Sequence, residues 1–174
     1  MRILTLIISL LFFNLVKAQE VPAGWEKAES KYISIAYPAD YVVNLYGDTK
    51  LVMNGFEPLE SDIDKFKENF GIIIEELSDN KSLEEFAIAT RRELESSKKN
   101  KLTIESFEPI TTPAGPAYQI EYRMEMNGFQ FYHYLRLFVK NNLGYSIIYT
   151  ASNQRRTYHE ELINSMFNSV TLKD

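Results

Sequence analysis

The side chains able to do chemistry in this chain are few. There are two histidines, His133 and His159, and no cysteine. A thiolate nucleophile and a thiolate metal site are therefore excluded. His133 stands between Tyr132 and Tyr134 in an alternating run, which predicts a partly buried, hydrogen-bonded imidazole rather than a metal ligand. His159 precedes Glu160 and Glu161 near a helix start, where solvent exposure is expected. Two separated histidines do not make a zinc site, which takes three or four protein ligands. Asp62-Ile63-Asp64 has the alternate carboxylates of a calcium loop but lacks the glycine at the sixth position and the glutamate at the twelfth. Glu75 and Glu76 are adjacent in a strand pattern and point to opposite faces, so they cannot act as an acid/base pair. No Gly-x-Ser-x-Gly elbow, glycine-rich phosphate loop or dinucleotide fingerprint is present. Arg155-Arg156 and Arg91-Arg92 would bind an anion only if the fold joined them, and two charged helix surfaces are the default. The tyrosines 118, 122, 132, 134, 145 and 149 would either line a ligand groove or fill a core under helices. No catalytic residue, metal or cofactor is expected from these residues.

The elements that must position these groups are legible around the span 117–151. Asn127-Gly128 is a strong hairpin signal, because a two-residue type I′ turn needs positive φ at both positions. Lys140-Asn141-Asn142-Leu143-Gly144 predicts a second reversal, so three consecutive antiparallel strands are expected here. Earlier strands are predicted at 32–37, 41–46, 50–56 and 70–77, the last apolar on both faces and therefore inside the sheet. Residues 19–31 read as an entry segment, with the single tryptophan, Trp25, under the sheet edge. Between the third and fourth strands, 57–69 reads as a long polar loop with one helical turn near 63–66, and long loops are often functional. Ser82-Leu83-Glu84-Glu85 is a capping box opening a helix to about Lys98, with Leu83, Phe86, Ala87, Thr90 and Leu94 on its apolar face. A further strand covers 102–110. A last helix runs from about Arg155 to Asn168, with a second capping box at Thr157 and Glu160, and Val170 to Leu172 closes the chain.

The first residues have the pattern of an export leader. Met1-Arg2 is followed by an apolar run from Ile3 to Val16 and a small-residue site at Val16-Lys17-Ala18. That run is shorter than the roughly 20 residues of a membrane-spanning helix, so a cleaved leader is expected, with a retained N-terminal anchor as the alternative. Cleavage after Ala18 gives a single 156-residue domain over 19–174, large enough for a self-sufficient core. The net charge of −5 becomes −7 on loss of Arg2 and Lys17. An acidic surface gives no general attraction to nucleic acid or anionic membrane. A periplasmic or secreted product is expected, without disulfides and without stable membrane insertion after cleavage.

Four segments carry a family likeness: Ile35-Ala36-Tyr37-Pro38; Lys67-Glu68-Asn69-Phe70-Gly71-Ile72-Ile73-Ile74; Ser82-Leu83-Glu84-Glu85-Phe86; and Pro113 through Tyr122. In this order and spacing the chain resembles the PsbP-like superfamily, over about Trp25 to Leu172. The likeness is strongest to its small exported bacterial domains. It implies an α+β fold, with a central antiparallel sheet flanked by helices on both faces as an α/β/α sandwich. It also implies a non-catalytic accessory role beside larger assemblies.

The expected function is thus a non-catalytic accessory or binding module outside the cytoplasm, with an unidentified envelope protein or small ligand as partner. Its expected contact surface joins the polar loop to the aromatic strands: Asp62, Asp64, Lys65, Phe66, Tyr132 and Tyr134. The alternative is a carrier holding a small apolar or aromatic ligand between sheet and helix.

Overall fold

A computed structural model describes residues 21–47, 50–59, 66–78, 80–96 and 101–173, apart from the side chains at 154, 156 and 158. The leader pattern and Asp62, Asp64 and Lys65 lie outside the described residues.

The strands are β1 (Trp25–Glu29), β2 (Ile33–Pro38), β3 (Val42–Leu45), β4 (Leu51–Phe56), β5 (Asn69–Glu76), β6 (Lys101–Thr112), β7 (Gly115–Met126), β8 (Phe129–Lys140), β9 (Leu143–Ser152) and β10 (Thr171–Leu172). The helices are α1 (Leu83–Ser96) and α2 (Arg156–Asn168), the second entered through a short 3₁₀ turn at Asn153–Arg155. Seven strands form one sheet in the order β3-β4-β5-β9-β8-β7-β6, and β1-β2-β10 form a second. All pairings are antiparallel.

The turns follow from their residues. Asn127 and Gly128 sit at φ 54° and 80°, as a type I′ hairpin requires, and Asn141 and Asn142 at 51° and 61° make the second reversal. β5 runs between β4 and β9, as a strand with two apolar faces must. α1 starts at its capping box: the Ser82 backbone N–H donates to Glu85 Oε2 at 2.9 Å, and the Glu85 N–H donates to Ser82 Oγ at 3.2 Å. α2 has no side-chain cap, so the Thr157–Glu160 box is not used.

The expected α/β/α sandwich is corrected. Of the described residues 56% are strand and 20% helical, and they form two sheets and two helices. The segment read as an entry loop pairs as β1 with β2, and β10 joins them, because five residues from Trp25 extend in register with 34–38. This small sheet and α2 together bury one face of the large sheet. Ile33, Ile35 and Tyr37 meet Phe70, Tyr132, Tyr145 and Tyr149 there, with Ile163, Met166 and Phe167 of α2. Across the large sheet, α1 packs on β6, β7 and β8 through Phe86 and Ala87 against Ile120, Tyr122, Leu135 and Leu137. It leaves the β3–β4–β5 side of that face without a helix among the described residues.

Candidate functional site

Two polar assemblies sit on the face shared with α2. The first forms where the long loop leaves β4 and enters β5. Because Phe56 pairs with Asn69, Glu57 and Glu68 become neighbours, joined by the Glu57 N–H donating to the Glu68 carbonyl at 2.8 Å. Glu68 is buried. Its Oε1 accepts from the Ser152 N–H at 3.2 Å and from Ser152 Oγ at 2.9 Å, and its Oε2 accepts from Arg155 Nη1 at 3.1 Å. Arg155 Nη2 lies 3.6 Å from Glu57 Oε1, and His159 Nε2 lies 3.7 Å from Glu57 Oε2. His159 Nδ1 is 3.3 Å from the Tyr149 hydroxyl, which is 2.8 Å from the Tyr41 hydroxyl. Burial, the larger cause at each, raises both phenols above their ordinary range, so they stay neutral and act as hydrogen-bonding groups.

His159 was expected in solvent and is 0% exposed. It sits one turn into α2, on the helix face that carries Ile163, Met166 and Phe167 inward. Glu57, Glu68 and His159 offer one ligand atom each within 4.8 Å of one another. By donor type that set suits a divalent transition metal. The Arg155 guanidinium, however, lies 3.1 Å from Glu68 and 3.6 Å from Glu57 and competes with any ion for both carboxylates. What the arrangement does is mechanical: it ties the first turn of α2 to the ends of β4, β5 and β9.

The second assembly is built on Arg136 of β8, also buried. Its Nη1 donates to Asn168 Oδ1 at 2.9 Å and its Nη2 to Gln119 Oε1 at 3.0 Å, and its guanidinium lies over the Phe167 ring. Gln119 donates in turn to Glu121 at 2.8 Å, and Tyr132 also donates to Glu121. Burial pulls the Arg136 pKa down to about 10. The C-terminal turn of α2, where Asn168 stands, favours the cation.

The other predicted residues are dispersed. Tyr132 and Tyr134 are 0% and 6% exposed and offer no contact surface. Phe66 leaves the loop to pack on Phe131, with ring centroids 4.7 Å apart, on the opposite face of the sheet. The row of six tyrosines is split: Tyr118 and Tyr122 face α1, while Tyr132, Tyr134, Tyr145 and Tyr149 face α2. Arg91 pairs with Glu95 and lies over Phe107, on the other side of the sheet from Arg155. His133 is the partly buried group expected: Nδ1 is 3.0 Å from Thr150 Oγ1 and the ring stacks on Tyr122 at 4.5 Å. Burial lowers its pKa to about 4.

Strand register identifies a surface that sequence reasoning did not find. The row Tyr122–His133–Thr150–Asn69–Phe56–Val42 crosses the sheet, followed by Ile120–Leu135–Ile148–Gly71–Asn54–Asn44 and then by Leu137–Ser146–Ile73–Leu51. Residues of one row share a face. From β9 to β3 these rows present Thr150, Asn69, Phe56, Val42, Ile148, Gly71, Asn54, Asn44, Ser146, Ile73 and Leu51. None is charged, in a chain that is 25% charged. Val42 is 62% and Ile73 39% exposed. The available signal was the run of Asn, Gly, Ser and Thr at alternate positions where a solvated strand usually carries charge.

No family model matches the sequence, and no curated protein matches it. Solved structures do. Cyanobacterial PsbP (CyanoP) from Synechocystis sp. PCC 6803 superposes with a TM-score of 0.68 at 14% identity, over 87% of this chain and 94% of that one. LpqN of Mycobacterium tuberculosis, described as involved in cell envelope biogenesis, superposes at 0.62 with 11% identity, over 82% and 83%. A Pseudomonas aeruginosa protein of unknown function superposes at 0.56 with 10% identity, over 83% and 94%. No helix among the described residues is long and apolar enough to cross a membrane. Likeness at such identities is a likeness of architecture, and by that measure this chain has the PsbP-like fold.

Proposed function

We propose that this protein is a non-catalytic binding module of the cell envelope, and that it meets its partner through the three uncharged rows that cross β3, β4, β5 and β9 and end at Glu75 of β5. The observation that carries the reading is that half-face, with Val42 and Ile73 exposed and no charge across three rows. Contiguous exposed apolar surface marks interaction sites, and Phe56, Leu51 and Ile148 of the same rows are themselves only partly buried. The polar assemblies support a non-catalytic role, because the Glu68 carboxylate is held by Ser152 and Arg155 and the Arg136 guanidinium by Gln119 and Asn168. A carrier role gains less support, since Phe70, Tyr132, Tyr149 and Phe167 fill the space between sheet and α2. The envelope setting rests on the leader pattern and on the description of LpqN.

A photo-crosslinking residue at Ile73, compared with one at Arg92 on the solvated side of α1, tests the proposal in the producing cell. A discrete crosslinked product from position 73 and none from 92 is expected. Equal, diffuse labelling from both positions would contradict it.

A further inference from the structure

The two edges of the seven-stranded sheet are not alike. β6 carries Lys101, Glu105, Glu108 and Pro109 and a register shift between Ile104 and Ser106. Charge, proline and a bulge are among the devices that keep an edge strand from pairing with another chain, as is shortness, the one device that the four-residue β3 shares. β3 and the residue after it, Val42-Val43-Asn44-Leu45-Tyr46, carry none of the first three. Val42, Leu45 and Tyr46 are 62%, 56% and 39% exposed. The Tyr46 N–H donates inward to the Val52 carbonyl at 3.0 Å. By alternation, Asn44 and Val42 also bond toward β4, while Val43 and Leu45 turn their N–H and C=O groups outward.

We infer that β3 pairs with β3 of a second copy of this chain, antiparallel, about a two-fold axis perpendicular to the sheet at Asn44. In that register Val43 and Leu45 of one copy face Leu45 and Val43 of the other as hydrogen-bonded pairs, giving four ladder bonds. Val42 meets Tyr46, and Asn44 meets Asn44. Apolar residues oppose apolar residues at every off-axis position, and no charge opposes its own copy, although both chains are acidic. This self-complementarity selects a second copy as the occupant. A contact of five residues a side falls below the roughly 1,200 Å² of a standard interface, so the dimer is weak and forms at high concentration.

The test uses the absence of native cysteine. Asn44 and its symmetry mate form a non-hydrogen-bonded pair with Cα atoms about 4.5 Å apart, a distance a disulfide spans. Asn44→Cys in the full chain is expected to oxidise rapidly to a disulfide-linked dimer, and Leu45→Cys, out of register with its own copy, several-fold more slowly. Sedimentation of the unsubstituted chain is expected to show mass rising toward the dimer with concentration, and Val42→Lys with Leu45→Lys to abolish the rise. A chain that stays monomeric at every concentration, or Asn44→Cys and Leu45→Cys oxidising at equal rates, overturns the proposal. So does a chain that crosslinks through position 44 only to a different protein.

Discussion

One face of the large sheet is divided into two halves with opposite characters. On the β6–β8 half, Ile120, Leu135 and Leu137 are sealed under Phe86 and Ala87 of α1. On the β3–β5 half, equivalent rows continue through Asn54, Gly71 and Ile73 with no helix above them. The sheet geometry is shared, so the difference lies in side-chain choice. Where α1 lands, the rows carry large aliphatic and aromatic groups. Where it does not, they mix amides, hydroxyls and isolated aliphatics without charge. A face meant only for water carries lysine and glutamate, and a face meant only for a core carries no asparagine. The second half suits a surface that is wet alone and covered when a partner arrives.

Substitutions should separate the halves. Phe86→Ala removes the largest side chain by which α1 holds the covered half, and a loss of about 3–5 kcal/mol is expected in denaturant unfolding. A loss below about 1 kcal/mol would mean that α1 is not needed to seal that half.

His133 belongs to the same rows, beside the α1 contact, and its pKa of about 4 lies below the ordinary 6.5. The unfolded chain therefore binds a proton between pH 6.5 and 4 that the folded chain refuses. Stability from this group is complete above pH 6.5, declines as pH falls, and is lost by about pH 4, on the order of 3 kcal/mol in all. His133→Gln should flatten that segment of the stability profile. An unchanged slope would assign the acid sensitivity to the carboxylates instead.

The glycines give the closest matched pair. A Cβ on Gly144 would lie 2.8 Å from Phe86 Cζ and 3.0 Å from Leu77 Cδ2, so Gly144→Ala should cost about 1–3 kcal/mol through overpacking. A Cβ on Gly71 would lie 3.5 Å from Ile148 Cγ2 and 3.8 Å from Leu51 Cδ1, ordinary contacts. Gly71→Ala should leave stability unchanged or raise it by about 0.5 kcal/mol, since alanine restricts the unfolded chain. Equal costs at the two positions would erase the distinction between the halves.

Local signals were legible in the sequence, and long-range assembly was not. Asn127-Gly128, the Ser82–Glu85 box and the two-sided apolar pattern of β5 each rest on contacts within a few residues, and each appears as read. The second sheet was missed because β1 is held by pairing rather than by pattern: Glu26 and Lys27 face solvent beside Trp25. The Glu57–Glu68–Arg155–His159 cluster joins residues 87 apart at its Arg155–Glu68 bond. Its one local clue was that Glu57 and Glu68 flank paired strands. His159 read as exposed from its glutamate neighbours, yet its place on the helix turned it inward. Tyr132 and Tyr134 read as a contact surface because alternation alone does not say which face a second sheet will cover.

A small effect on stability and the largest on partnership are expected at the same residue. Ile73→Lys should shift unfolding by about 0.5 kcal/mol, since its side chain already reaches solvent. Its retention of envelope proteins, measured against the unsubstituted chain in a quantitative pull-down, is the most direct test of the divided face. A partner held by the unsubstituted chain is expected to be lost with Ile73→Lys while the fold persists. Undiminished retention by the folded variant would contradict it.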